Sequence, residues 1–374
     1  MINKTTVGNR IALLRKNLGY SQAVFAEKLN VSTQAVSKWE TGATLPDIEI
    51  LLNISWICKI SINNILSGEE FSSECPGIDR TFFKLSQILV CPKCKKPLKL
   101  NFQNPNELFY SCENGCEYYV KDGVVDFGTR EIPGEQWSLS YRNYEEYLHE
   151  HHWPGNPNYK RGLDINEERW KIIEKIKPQI ILDVACGTGQ GIKHIIKRAN
   201  FPVTVIMTDL SHRILKWNRI FYSDEWKNPY VDIIYLACDC ANLPLIDGCI
   251  DVVFSNGGFE SMQKKMMDGF KEGYRILKPD GSVVYNIAAV DDHKSENTKK
   301  WMSLSENIED NEDFALMEKM HDIDQWFEKC RQYGYNKNET IKIYGELPAP
   351  DTDKFPYENE IMQWMASYVV VSKK

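Results

Sequence analysis

Ile180-Ile181-Leu182-Asp183-Val184-Ala185-Cys186-Gly187-Thr188-Gly189-Gln190-Gly191 is the stretch that decides the fold. An apolar run ends on an acid and passes into closely spaced glycines, the pattern of a buried strand turning sharply into a helix. From Trp170 onward helical and strand patterns alternate, which predicts a doubly wound, mostly parallel sheet. Strands are expected over 180–184, 203–208, 231–237, 250–255 and 282–288, and two late ones over 339–344 and 367–372. Helices are expected over 261–277 and 323–333, and Ile192, Ile195 and Ile196 form the inner face of the helix behind the glycines.

Ligands of such sheets lie at the carboxyl ends of the strands. An acid recurs there: Asp183, Asp209 and, just past the third strand, Asp239. Gly187 and Gly189 admit a ligand close to the backbone because no Cβ stands in the way. Asp183 suits an ammonium group and Asp209 a pair of ribose hydroxyls. Asp239 suits the adenine amino group, with the Cys240 amide at a ring nitrogen, and Leu210 with Leu243 or Leu245 would sandwich the purine. An ammonium, a ribose and an adenine together describe S-adenosylmethionine (SAM).

On Asp183 to Gly189, Asp209, Asp239-Cys240-Ala241-Asn242-Leu243-Pro244 and Arg275-Ile276-Leu277-Lys278-Pro279-Asp280-Gly281, residues 165–374 resemble the class I SAM-dependent methyltransferases of the ubiquinone-biosynthesis-like type. The resemblance implies an α/β Rossmann-like methyltransferase over 171–374. It also implies a cofactor site at Asp183, Ala185, Gly187, Gly189, Asp209, Leu210, Asp239, Cys240 and Asn256. Ala185 stands where the family has its first glycine. A nicotinamide-binding site is the competing reading, and its first and third glycine positions hold Ala185 and Gln190.

Methyl transfer from a sulfonium often needs only alignment and desolvation, so the catalytic group is left open. Glu260 is a candidate base, weighed against an exposed surface carboxylate. Asn256-Gly257-Gly258-Phe259 before it is not the Pro-Pro-aromatic motif of adenine- or cytosine-amino DNA methyltransferases. Tyr141, Tyr144, Tyr147, Trp153 and Tyr159 form an aromatic connector over 129–170, either a lid or a helix packed on the sheet. His149, His151 and His152 read as solvated. Cys186, Cys238, Cys240 and Cys249 invite an arsenic-methylating alternative, with buried small residues as the simpler account. The charged connection from Asp291 to Asp322 lies where substrate-recognition insertions occur.

The first 68 residues follow a different pattern. Ile11, Leu13 and Leu14 open a helix closed by Gly19, Ser21 and Ser32 are placed to cap two more, and Pro46-Asp47 starts a fourth. Two short helices around Asn30-Val31-Ser32 predict a helix-turn-helix within an all-α bundle. Thr33, Gln34, Ser37 and Lys38 would reach base edges, and Arg10, Arg15 and Gln22 phosphates. Gly19-Tyr20-Ser21-Gln22, Val36-Ser37-Lys38-Trp39-Glu40-Thr41-Gly42 and Pro46-Asp47 resemble the Cro/C1-type (XRE) helix-turn-helix family. That resemblance implies a double-stranded DNA operator as partner and a homodimer.

After a polar linker at 69–88, Cys91-Pro92-Lys93-Cys94 and Cys112-Glu113-Asn114-Gly115-Cys116 sit on tight turns between short strands. Cys91, Cys94, Cys112 and Cys116 offer four thiolates to one tetrahedral Zn2+. A module of about 40 residues, 89–128, needs such a staple to fold. It resembles the small β zinc ribbons attached to RNA methyltransferases, although its second pair is Cys-x3-Cys where the ribosomal-RNA enzymes commonly end in histidine.

The charge of −7 is uneven: residues 1–66 hold seven Lys/Arg against four acids, +3, which leaves −10 for the rest. Attraction to nucleic acid therefore concentrates at the N-terminal end. No apolar run reaches the roughly 18 residues of a membrane span. Met1-Ile2-Asn3-Lys4 opens without the apolar core of a signal peptide, so a cytoplasmic setting is expected.

The expected whole is a multidomain chain of helix-turn-helix bundle, zinc ribbon and methyltransferase. It would methylate a small molecule or RNA and carry its own sequence-specific DNA-binding domain, linking methylation to transcription regulation. Two alternatives stand beside this: a regulator whose silent methyltransferase fold senses SAM or a metabolite, and an RNA methyltransferase using both N-terminal modules to grip RNA.

Overall fold

The computed structural model describes residues 3–58, 62–67, 80–104, 107–128, 141–151, 157–222, 227–305, 322–353 and 364–374. These form two compact units, and the second takes in the cysteine turns together with the large sheet.

In the first unit, α1 (Lys4–Asn17), α2 (Gln22–Lys28), α3 (Thr33–Glu40), α4 (Ile48–Cys58) and α5 (Ile62–Ser67) enclose Val7, Ile11, Phe25, Val36, Trp39, Ile54 and Ile65. Side chains of Asn3, Ser21 and Ser32 accept the amides of Thr6, Val24 and Ala35 and so cap the first three helices. The first helix begins earlier than the apolar pattern suggests. Asn3 caps a polar first turn, Val7 is its first core residue, and Leu13 is 58% exposed rather than inward. A Cβ on Gly8 would lie 2.2 Å from the Trp39 carbonyl, so the chain at α1 passes closer to the end of α3 than a larger residue permits.

All but the last residue of α6 (Arg80–Ser86), together with the adjoining ends of β1 (Lys99–Asn104) and β2 (Glu107–Ser111), groups with the first unit, and the second unit runs on through β3 (Glu117–Lys121), β4 (Val124–Asp126), α7 (Tyr141–His151), α8 (Pro157–Ile176) and β5 (Ile180–Asp183). It continues with α9 (Gln190–Arg198), β6 (Val203–Asp209), α10 (His212–Phe221), β7 (Val231–Ala237), β8 (Ile250–Ser255), α11 (Gly258–Ser261) and α12 (Met266–Ile276). Last come β9 (Leu277–Ala289), α13 (Glu296–Ser305), α14 (Ile323–Gln332), β10 (Lys337–Tyr344) and β11 (Ala366–Lys373). Among the described residues the strands form one sheet of eleven in the order β1-β2-β3-β4-β7-β6-β5-β8-β9-β11-β10. Strands β4 to β9 pair in parallel, while β11 runs antiparallel between β9 and β10. Crossovers run from β5 through β6 to β7, then return to β8 and β9 on the other side. The edge therefore opens where β5 meets β8, the usual place for a ligand.

Three expectations change. The helix placed over 261–277 is two, α11 and α12, joined by a 3-10 turn at Gln263–Lys265. The last parallel strand starts at Leu277, not Ser282: Leu277 pairs with Ile250 and Ser282 with Val252, so Lys278 to Gly281 loop out within the strand. The ribbon is not a module of its own. Val124, Val125 and Asp126 pair in parallel with Tyr235, Leu236 and Ala237, and Leu89 bridges Leu245. With too few residues for a separate core, it buries Val124 and Val125 in the larger unit.

Residues 129–140 and 306–321, within the expected connector and insertion, and most of the 69–88 linker lie outside the described residues, as do His152 and Trp153.

Candidate functional site

Parallel pairing brings Asp183, Asp209 and the residues after Ala237 to one edge of the sheet. The turn between β5 and α9 is held left-handed at Ala185 (φ 45°), Gly187 (φ 51°) and Gly189 (φ 70°), a conformation costly for alanine and free for glycine. Its amides are tied on both sides: Val184 to the Phe254 carbonyl at 2.9 Å, Cys186 to the Thr208 carbonyl at 2.8 Å. Both oxygens of Asp209 accept backbone amides, Gly187 at 2.9 Å and Ser211 at 2.9 Å. Behind the turn, a Cβ on Gly258 would lie 1.9 Å from the Val184 carbonyl, so α11 abuts it through glycine.

Asp183 is 1% exposed, and its Oδ1 is buried with no hydrogen-bond partner. Burial pushes its carboxyl well above the usual range; the Arg169 charge pulls it back and the Asp209 charge adds to the rise. An orphaned buried oxygen costs about 1–3 kcal/mol, a cost that an ammonium donor would remove.

Asp239 lies on the surface side, its Oδ1 accepting the Ala241 amide and its Oδ2 2.7 Å from Lys265 Nζ. Leu210 is 43% exposed. Leu243 and Leu245 are fully buried, and Leu245 bridges Leu89, so neither offers an exposed face to a base. Asn256 is exposed, and its Oδ1 accepts from Arg169 at 2.7 Å.

Arg169 was not singled out from the sequence. It is 1% exposed on α8, donates to the Ser255 carbonyl and Asn286 Oδ1 at 3.0 Å, and to Asn166 and Asn256. Its guanidinium lies 4.7 Å from the Phe254 ring centre, and its Nε has no partner. Burial lowers its pKa to about 9, opposed by the charges of Asp183 and Glu260. A signal was there to be read: Ile165, Arg169 and Ile173 stand at helical spacing on one face, and both isoleucines are core residues.

Glu260 is not a plain surface carboxylate. It is half-buried, and desolvation raises its pKa to about 7 against the pull of its own amide and of Arg169.

Among the described residues of the connector, Tyr144 and Tyr147 pack in and against the sheet's core. Tyr144 is fully buried in the sheet's core, and its hydroxyl donates to Asn218 Oδ1 at 2.6 Å, while Asn218 Nδ2 holds the Gly187 carbonyl at 2.7 Å. His149 is exposed. Cys238, Cys240 and Cys249 are buried; Cys186 is half-buried at the surface and raised well above the usual thiol range by burial and nearby acids.

Among the described residues one group of three or more metal-ligand side chains occurs. The sulfurs of Cys91, Cys94, Cys112 and Cys116 all lie within 4.8 Å of one another. Lys95 (φ 58°) and Gly115 (φ 75°) supply the left-handed residue of each turn. Although burial opposes it, hydrogen bonds from Tyr118 and the Cys94 and Lys93 amides hold the Cys91 thiol below its usual range. Softness and spacing of the set suit zinc.

In the first unit Thr33, Gln34 and Lys38 are exposed and Ser37 half-buried along α3. Three residues expected at phosphates are engaged inside the domain. Arg15 makes a two-pronged pair with Glu40 at 2.6 and 3.0 Å, Gln22 donates to the same carboxylate, and Arg10 donates to the Leu66 carbonyl at 2.8 Å. Each lies beside a buried carbonyl or carboxylate that needs a donor.

A helix-turn-helix model matches residues 11–64 and a methyltransferase-domain model residues 182–285. The HTH-type transcriptional regulator ImmR of Bacillus subtilis is 32% identical over 121 residues, 32% of this chain and 91% of that protein. The chain belongs to the XRE-type helix-turn-helix family and carries a methyltransferase domain. The helix-turn-helix domain is also similar to the regulator DicA of Escherichia coli, 35% identical over 75 residues, 20% of this chain and 56% of DicA. The methyltransferase domain is similar to a malonyl-[acyl-carrier protein] O-methyltransferase of Marinomonas sp., 28% identical over 189 residues, 46% of this chain and 66% of that protein. The chain thus spans about two thirds or less of the length of these last two relatives.

Proposed function

We propose that this chain transfers a methyl group from SAM to a small molecule or RNA, and that its helix-turn-helix domain binds operator DNA as a homodimer, joining methylation to transcription control in the cytoplasm. The observation that carries the cofactor reading is the orphaned Oδ1 of Asp183 beside the left-handed turn. Asp183 would hold the ammonium end, the amides around Gly187 and Gly189 the methionine portion, Asp209 the ribose, and Asp239, Cys240 and Leu210 the adenine. Bound there, SAM would supply an electrophilic methyl group. Arg169 keeps Asn256 and the end of β8 in place and balances the charge of Asp183. Glu260, with a pKa near neutrality, would take a proton from the acceptor. Thr33, Gln34, Ser37 and Lys38 would read the operator. Zinc on the four cysteines would hold the ribbon closed.

Calorimetric titration with SAM tests the cofactor site: wild type binds, and Asp209→Ala binds roughly tenfold more weakly or worse. No heat with wild type overturns the reading. Labelled SAM supplied with cell extract tests turnover; SAM-dependent operator affinity without turnover would mark a sensor instead.

A further inference from the structure

The cysteine turns and the adenine side of the cofactor site are built into one another. Between Asp239 and Ile246 the chain has no regular structure of its own beyond a turn and an isolated bridge. Asp239 closes that turn by accepting the Asn242 amide on its carbonyl at 2.9 Å. Asp239 and Cys240 are also held directly, by Lys265 Nζ at 2.7 Å and by Thr208 Oγ1 at 3.3 Å, and the rest of the segment is held from two directions. On one side α12 supplies Glu272, accepting the Leu243 amide at 2.9 Å, and Arg275, donating to the Leu243 and Leu245 carbonyls. On the other side the contacts come from the first cysteine turn and the residues just before it, where the Ile88 carbonyl accepts the Ile246 amide at 2.9 Å and Leu89 bridges Leu245. Lys95 Nζ donates to Asn242 Oδ1, Asn242 Nδ2 donates to the Pro92 carbonyl at 3.2 Å, and the Val90 amide donates to the Pro244 carbonyl at 3.0 Å. Pro92 lies between Cys91 and Cys94, and Lys95 takes a left-handed conformation directly after Cys94.

We propose that the Cys91–Cys94 turn, closed by its metal, is a positioning element of the cofactor site. Acting through Pro92, Lys95 and Asn242, it sets the segment that carries Asp239 and the Cys240 amide, and so sets affinity for the adenosine half of SAM. Without the metal, the four thiols have no common partner to hold that turn. Asn242 then loses both a donor and an acceptor, and the segment is left to Lys265, Thr208 and α12. The proposal rests on the SAM reading above and goes beyond it by making the ribbon part of the site.

The test is calorimetric binding to the full chain, zinc-loaded or stripped by a chelator under reducing conditions, with bound zinc counted by elemental analysis. Stripping weakens SAM roughly tenfold and 5′-methylthioadenosine, which lacks the amino-acid end, by the same factor. Asp183→Asn, in contrast, weakens SAM and leaves methylthioadenosine unchanged. Zinc-loaded Asn242→Ala loses affinity for both ligands with full metal content, and Asn242→Asp, which keeps the acceptor for Lys95, falls between. If stripping unfolds the chain, the zinc-loaded Asn242 variants decide. Equal SAM affinity in Asn242→Ala and wild type overturns the coupling alone. A zinc-loaded wild type that binds neither ligand overturns the cofactor reading and the coupling with it.

Discussion

The helix-turn-helix domain and the carboxyl edge of the methyltransferase sheet each bury an arginine and a carboxylate, and they treat the two charges in opposite ways. Arg15 and Glu40 meet in a two-pronged pair with Gln22 as a further donor, and the Tyr20 carbonyl accepts from Arg15. Burial alone would raise the Glu40 carboxyl, but these donors hold it below its usual range, and Glu40 raises Arg15 in return. Arg169 and Asp183 influence each other only through their charges, and each leaves a buried polar atom unpartnered. A closed pair of charges is a structural clamp, whereas an open pair leaves buried polar atoms for water or a ligand to satisfy.

The largest test breaks the clamp. Glu40→Ala leaves Arg15 buried and unpaired and should cost the helix-turn-helix domain about 3–5 kcal/mol, read as a fall in its melting temperature. Asp183→Asn should do the reverse: stability at neutral pH does not fall, because an unpartnered buried carboxylate is removed. SAM affinity weakens by about 2–3 kcal/mol, the worth of a charge-assisted hydrogen bond. Loss of stability without loss of binding in that variant would erase the contrast.

Glu260 sharpens the open side through pH. Its folded pKa, about 7, lies above the usual carboxylate value. Burial therefore favours the protonated form, and its stability contribution is complete below pH about 4.3 and lost as pH rises through about 7. Glu260→Gln should be more stable than wild type by on the order of 2 kcal/mol at pH 8, and equal to it near pH 4. Urea melts across that range check the sign. The smallest effect concerns the turn: Ala185→Gly relieves a left-handed alanine at φ 45° and should gain about 0.5–1 kcal/mol in the same assay, with SAM affinity kept.

Much of the fold was legible because it is written locally. Short-range periodicity marked the buried strands Ile180–Asp183 and Val203–Asp209, Ser21 and Ser32 marked helix starts, and paired cysteines marked their own turns. Reading failed where a residue's meaning lies in a distant partner. Arg10, Arg15 and Gln22 look like free surface donors until the chain brings Leu66 and Glu40 to them. Leu243 and Leu245 look like purine contacts, yet both are fully buried once the chain has folded.

By itself the amino-acid sequence determined the two kinds of domain, the three acids at the sheet edge and the two paired-cysteine turns, because hydrophobic period, caps and glycine turns act over a few residues. Only the tertiary structure decided that the ribbon joins the sheet through Val124 to Asp126, that Arg169 stands buried behind the site, and that Glu260 titrates near neutrality. Desolvation and strand pairing depend on which distant segments close over a group, and that information exists only once the chain has folded.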